Sequence, residues 1–329
     1  MKRFNLKQWF VLLAMLICAG STQSVRAETW AERLGYPAGK KVLILHAHEM
    51  GLCRATNAAA EELAAGELTH STSALAPCPW FADYAKTASG GQNADVGLAL
   101  VLNSEWTNYR WQPLTSDNLV PSLIDSEGNL WPTAVQTMVN ADAAQVEQEL
   151  QVQIMRAQLA GLQPTHLTTH LGTLFMRLDL AEIYLRIARE HWIPAVIVEL
   201  TPEHVERFQK MGFPLAPELI QLLDDYPLPK LDDLVFMPSG DTYAAKKQAF
   251  IELIRGLPPG LTQVAFHPAV ESDELKRIDA GWQERVWEAQ LFQDQEVRAL
   301  LESDDVMLTN WREVMRRFMG EGPAVEKAK

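Results

Sequence analysis

Short, unbroken apolar runs alternate along this chain with helix-type stretches, and no other feature limits the fold as strongly. Val42 to Leu45, inside KVLILH, lacks the polar alternation of a half-exposed strand and suits one buried on both faces of a parallel sheet. Similar runs recur at Leu68 to Leu75, Val96 to Leu102, Thr165 to His170, Ala195 to Leu200, Leu234 to Met237, Leu261 to His267 and Val306 to Leu308. Between them, Thr56 to Ala65 stops at Gly66, and Ala144 to Ala160 carries Val146, Leu150, Ile154 and Ala157 at helical spacing before Gly161. Leu180 to His191 and Ala244 to Ile254 repeat that pattern. About eight strands alternating with helices predict an α/β fold, a (β/α) barrel that is whole or else distorted and incomplete. No Gly-rich phosphate loop follows the first strand.

The 329 residues are 47% hydrophobic and 22% charged, enough apolar material for a packed core and too much for a disordered chain. Lys2, Arg3 and Lys7 precede the apolar run Phe10 to Gly20, and Val25-Arg26-Ala27 offers a processing site. Residues 1–27 therefore read as a cleaved export signal, which makes the protein periplasmic or secreted with no stable membrane span after cleavage. Removing them takes the formal charge from −13 to −17, which repels nucleic acid and anionic lipid. Residues 38–318 read as one domain and 319–329 as a flexible tail. Cys53 and Cys78 are too few for a disulfide scaffold; they read as buried thiols, with a bridge at one barrel end as the alternative.

In a barrel, the ends of the first, fourth and seventh runs share one rim, and histidines stand at each: His46 and His48, His170, and His267. Glu49 adds a carboxylate. His46 and His48 point to one side of an extended chain. Imidazoles and a carboxylate converging on one point are what a catalytic divalent ion requires. His70, His166, His191 and His204 lie away from the strand ends and read as structural. Glu105 and Glu199 are weak candidates for a glycosidase pair and otherwise structural. The long segment from Asn103 to Asn140 carries Trp106, Tyr109 and Trp111, whose aromatic faces suit pyranose rings.

At these residues the chain resembles the YdjC-like carbohydrate deacetylases, the family of chitooligosaccharide deacetylases. Ala47-His48-Glu49-Met50-Gly51 stands where that family has Ala-Asp-Asp-Phe/Leu-Gly. Asp95-Val96-Gly97-Leu98-Ala99-Leu100 is similar to its Val-Gly-Leu-His-Leu segment. Gly66-Glu67-Leu68-Thr69 with Ser71 and Ser73, Pro121-Ser122-Leu123 with Gly128, Pro164 to His170, and Phe266-His267-Pro268 match further motifs in order and spacing. The resemblance implies hydrolysis of an N-acetyl group by metal-activated water. It places the base on His48, a carboxylate ligand on Glu49 and a histidine ligand on His170. The second histidine ligand falls on Ala99, which has no donor, and Thr168 replaces an Asp.

Two expectations follow. In one, the protein is a metal-dependent hydrolase acting on N-acetylated oligosaccharides. Its zinc or magnesium would sit on Glu49, His170 and His46, its catalytic residues would be His48 and His267, and Trp106, Tyr109 and Trp111 would contact the sugar. In the other, it is a catalytically silent relative that binds carbohydrate.

Overall fold

The computed structural model describes residues 28–90 and 94–322. The export-signal reading of 1–27 and most of the tail reading of 319–329 lie outside these residues. Seven parallel strands form the sheet: β1 (Lys41–Met50), β2 (Ser71–Leu75), β3 (Val96–Leu100), β4 (Leu167–Thr169), β5 (Asp233–Phe236), β6 (Gly260–Phe266) and β7 (Val306–Thr309). The path runs β4-β3-β2-β1-β6-β5, and β7 pairs with β1. β1 changes partner along one edge: Lys41 to Ile44 face β7, and His46 to Met50 face β2. The predicted run at Ala195 to Leu200 contributes only isolated bridges, Leu167↔Ala195 and Val198↔Leu231. These carry the curl across the gap between β4 and β5. The result is a distorted, incomplete (β/α) barrel.

Side-chain alternation sorts β1 into two faces. Leu43, Leu45 and Ala47 join the large outer core beneath the helices. Val42 and Ile44 point inward and pack with Val196, Val198, Leu231, Leu261 and Trp311. The barrel floor is thus apolar. Residues 30–36 close it from below, with Ala31, Leu34 and Tyr36 buried in the same cluster. Asp232 anchors them by accepting from the N–H groups of Trp30 (2.8 Å) and Ala31 (3.1 Å) and also from Leu261 N–H (2.7 Å).

The helices begin where caps dictate. Asp142 accepts from the N–H groups of Ala144 and Gln145 at the start of Ala143–Leu159. Thr242 caps Tyr243–Gly256 and Asn310 caps Trp311–Phe318 in the same manner. The long excursion after β3 contains a 3-10 turn at Pro121–Leu123 and a helix at Ala134–Asn140. Cys53 and Cys78 are free and buried. Among the described residues no helix is long and apolar enough to cross a membrane.

Candidate active site

Above the apolar floor, the inward positions of β1 become polar: His46 and His48 follow Val42 and Ile44. Their rings lie 4.1 Å apart. His46 is committed deeper in the barrel, where its Nε2 shares a 3.0 Å hydrogen bond with His166 Nε2. His166 stacks on Trp311, and its ring fits because Gly97 faces it: a Cβ there would stand 2.3 Å from His166 Nε2. His48 sits at the rim side, with Ser73 Oγ 3.4 Å from its Nδ1 and His267 5.4 Å away ring to ring. Burial lowers the pKa of both His46 and His48 well below the ordinary value, and it brings His166 down to about 4. These imidazoles are neutral at pH 7.

Strict alternation would turn Glu49 outward with Ala47. Instead the β1–β2 register shifts between Ala47 and Met50, and Glu49 adopts φ 68. Such an irregularity re-aims a side chain at a strand end. The Glu49 carboxylate is accordingly buried in the site. Arg285 Nη1, from the helix Trp282–Leu291, lies 2.7 Å from its Oε2; Oε1 faces His170 Nδ1 (3.9 Å) and His267 Nε2 (4.0 Å). Burial alone would raise this carboxyl, but Arg285, then His267 and His170, hold it at about 2.

His170 follows β4 at the start of a tight turn in which Leu171 and Gly172 both have positive φ. Its Nε2 donates to Glu105, 3.0 Å from Oε2. Burial pulls the His170 pKa down, but the Glu105 and Glu49 carboxylates outweigh it and the net shift is upward. Burial lowers His267. The backbone N–H of His267 donates to Glu288, which also pairs with the buried Lys246 (3.0 Å).

Glu49, Glu105 and His170 thus form a cluster whose ligand atoms lie within 4.8 Å of one another. Two carboxylates and an imidazole are a donor set suited to zinc or magnesium. Of the expected ligands the structure brings Glu49 and His170 to this point and leaves His46 on His166. Glu105, read from sequence as structural, takes the third position. Ala99 lines the adjoining cavity without a donor. Arg285 carried no sequence signal, because helix 282–291 meets the site only through the tertiary fold.

The three aromatic residues have distinct environments. Trp111 is buried with its ring edge-on to His170 at 6.1 Å, and Tyr109 donates its hydroxyl to Leu52 O (2.7 Å). Trp106 is half-buried beneath the Arg285 guanidinium at 5.6 Å.

A model of the YdjC-like protein family matches residues 42–303, from β1 to just before β7. The chain belongs to the YdjC-like family. This YdjC-like chain is 35% identical over 271 residues to a carbohydrate deacetylase of Thermus thermophilus, covering 82% of its own length and 92% of the relative. A carbohydrate deacetylase of Thermoanaerobacter pseudethanolicus is 23% identical, with 82% and 98% covered. A solved structure from Enterococcus faecalis V583 superposes with a TM-score of 0.68 at 20% identity, covering 83% of this chain and 98% of that one, and so shares the fold.

Proposed function

We propose that this protein is an exported hydrolase that removes acetyl groups from N-acetylated carbohydrates at a rearranged divalent-metal site. The observation that carries the proposal is the convergence of Glu49, Glu105 and His170, in a chain 35% identical to a carbohydrate deacetylase. Glu105 supplies a donor to a site whose Ala99 has none. Zinc or magnesium held there would lend Lewis acidity to a carbonyl oxygen and to water.

The protein groups divide the remaining work. Arg285 occupies Oε2 of Glu49 and leaves Oε1 turned toward the histidines. His48, neutral at pH 7, accepts the proton of the attacking water. That proton passes from His48 to His267, whose ring lies 5.4 Å away on the other side of Glu49 Oε1, and from His267 to the amine as the C–N bond breaks. Trp106 offers its half-buried face to the sugar, while Tyr109 and Trp111 hold the loop that carries it. The charged start of the chain and the apolar run to Gly20 support export.

Metal analysis of the purified protein, paired with acetate release from N-acetylated chitooligosaccharides, tests this reading. The wild type should hold stoichiometric metal and release acetate, and Glu105→Gln should lower metal affinity by about tenfold or more. A wild type with neither metal nor acetate release would sink the enzyme reading. It would favour the silent relative, to which the donorless Ala99 already points.

A further inference from the structure

A cavity of about 360 Å³ opens beside His48, Glu49, His170 and His267, and its far walls are apolar. Phe175, Leu200, Phe208, Phe213, Leu223 and Phe236 line it, from the segments that fill the gap between β4 and the end of β5. Its volume reaches the range of about 300–1,000 Å³ that takes whole small-molecule ligands, so one acetyl methyl leaves most of it empty. A pyranose there would leave hydroxyls without partners against phenyl and leucyl side chains, and burying polar groups unpaired is unfavourable.

The polar side of the site lies elsewhere. Glu105 and Arg285 flank Trp106, and none of Trp106, Tyr109 and Trp111 lines the cavity. From the Glu49–His170 centre, a polar aromatic face therefore leads one way and an apolar chamber the other. One wall of the chamber depends on a close backbone approach. Gly172, at φ +67, passes so close to Phe213 that a Cβ would stand 2.5 Å from its ring, which fixes this phenyl against the wall.

Resting on the deacylase reading above, we propose that the preferred substrate is an amino sugar bearing a medium or long N-acyl chain, with the chain in this chamber. Water adds to the amide carbonyl, the C–N bond breaks, and the products are a fatty carboxylate and the amine, which takes up the proton. The sugar occupies the Trp106 side.

The test uses the full chain with N-acetyl-, N-butyryl- and N-octanoylglucosamine, and octyl N-acetylglucosaminide as the arm in which the sugar carries the alkyl chain. Amine release gives kcat/KM, and calorimetry with octanoate gives binding independent of turnover. We expect kcat/KM to rise with acyl length, by about tenfold or more from acetyl to octanoyl, since each added methylene takes further apolar surface out of water. Phe236 is 48% exposed at the rim, so Phe236→Glu should fold normally. It should cut the octanoyl-to-acetyl ratio and weaken octanoate binding, and Met211→Glu, also half exposed, should do the same. A flat or falling series with no octanoate binding overturns the proposal and leaves the deacetylase reading standing. Faster turnover of the octyl glycoside than of the N-octanoyl sugar overturns it in favour of an apolar aglycone. Octanoate binding weakened by Phe236→Glu, with no amide hydrolysed at any length, supports the chamber as an acyl site and removes the hydrolytic reading on which it was placed.

Discussion

A single guanidinium balances two carboxylates beside the candidate centre. Arg285 pairs with Glu49 Oε2 at 2.7 Å and with Asp279 Oδ2 at 2.5 Å, and its side chain is only 10% exposed. Removing a partner from such a group leaves buried charge without compensation, which costs far more than an exposed pair contributes. Arg285→Met should therefore lower unfolding free energy by about 3–5 kcal/mol, with Arg285→Lys recovering part of the loss. Urea denaturation of the two variants measures it. A loss below about 1 kcal/mol would mean that the pair behaves as a solvated surface contact.

Within the barrel, the layer made by β1, β3 and the residue before β4 is a stack of neutral imidazoles. His166 is held at about 4 by burial, only partly offset by Asp95, against an ordinary value of 6.5. The folded state therefore binds fewer protons than the unfolded chain between these two values. Stability is full above about pH 6.5 and is lost as pH falls toward 4, on the order of 3 kcal/mol from His166 alone. His46 and His48 shift in the same direction. The denaturant midpoint should fall steeply between pH 6.5 and 4, and His166→Gln should flatten that slope. An unchanged slope in the variant would place the acid sensitivity elsewhere.

The strands of this layer were legible because their short unbroken apolar runs mark segments buried on both faces, and two-residue parity puts every second side chain on one side. His46 and His48 share the interior as that parity requires. Glu49 was legible as a site residue but not as an inward one, since a register shift and a positive φ, rather than alternation, turn it inside. Glu105 reads as structural because nothing in the sequence of the long segment after β3 shows that its backbone returns to His170. The run at Ala195 to Leu200 was read as a strand from its apolar character. That character instead serves the floor cluster and the cavity wall, with isolated bridges at Ala195 and Val198.

At the scale of the molecule, the boundary read at residue 38 omits a segment that the barrel uses. Residues 30–36 plug its floor, and the Tyr36 hydroxyl meets Thr309 Oγ1 at 2.6 Å beneath the Arg317 guanidinium, 4.0 Å from the ring centre. A chain starting at Ala38 should lose on the order of 4 kcal/mol by exposing the floor and stripping Asp232 of two donors. Thermal unfolding of the two chains compares them directly, and equal midpoints would show that the plug contributes nothing.

The edge along which β1 is shared between β7 and β2 carries a consequence for how the chain assembles. β1 is made early, yet the partners for its lower half, β6 and β7, begin at Gly260 and Val306. During synthesis this strand, with its unbroken apolar run from Val42 to Leu45, therefore waits with both lower edges open until those segments emerge. Pairing between such distant segments is intrinsically slow, and an unpaired apolar strand is the surface on which nascent chains self-associate. Chains interrupted before Gly260 should accordingly accumulate as aggregates rather than as partly built barrels.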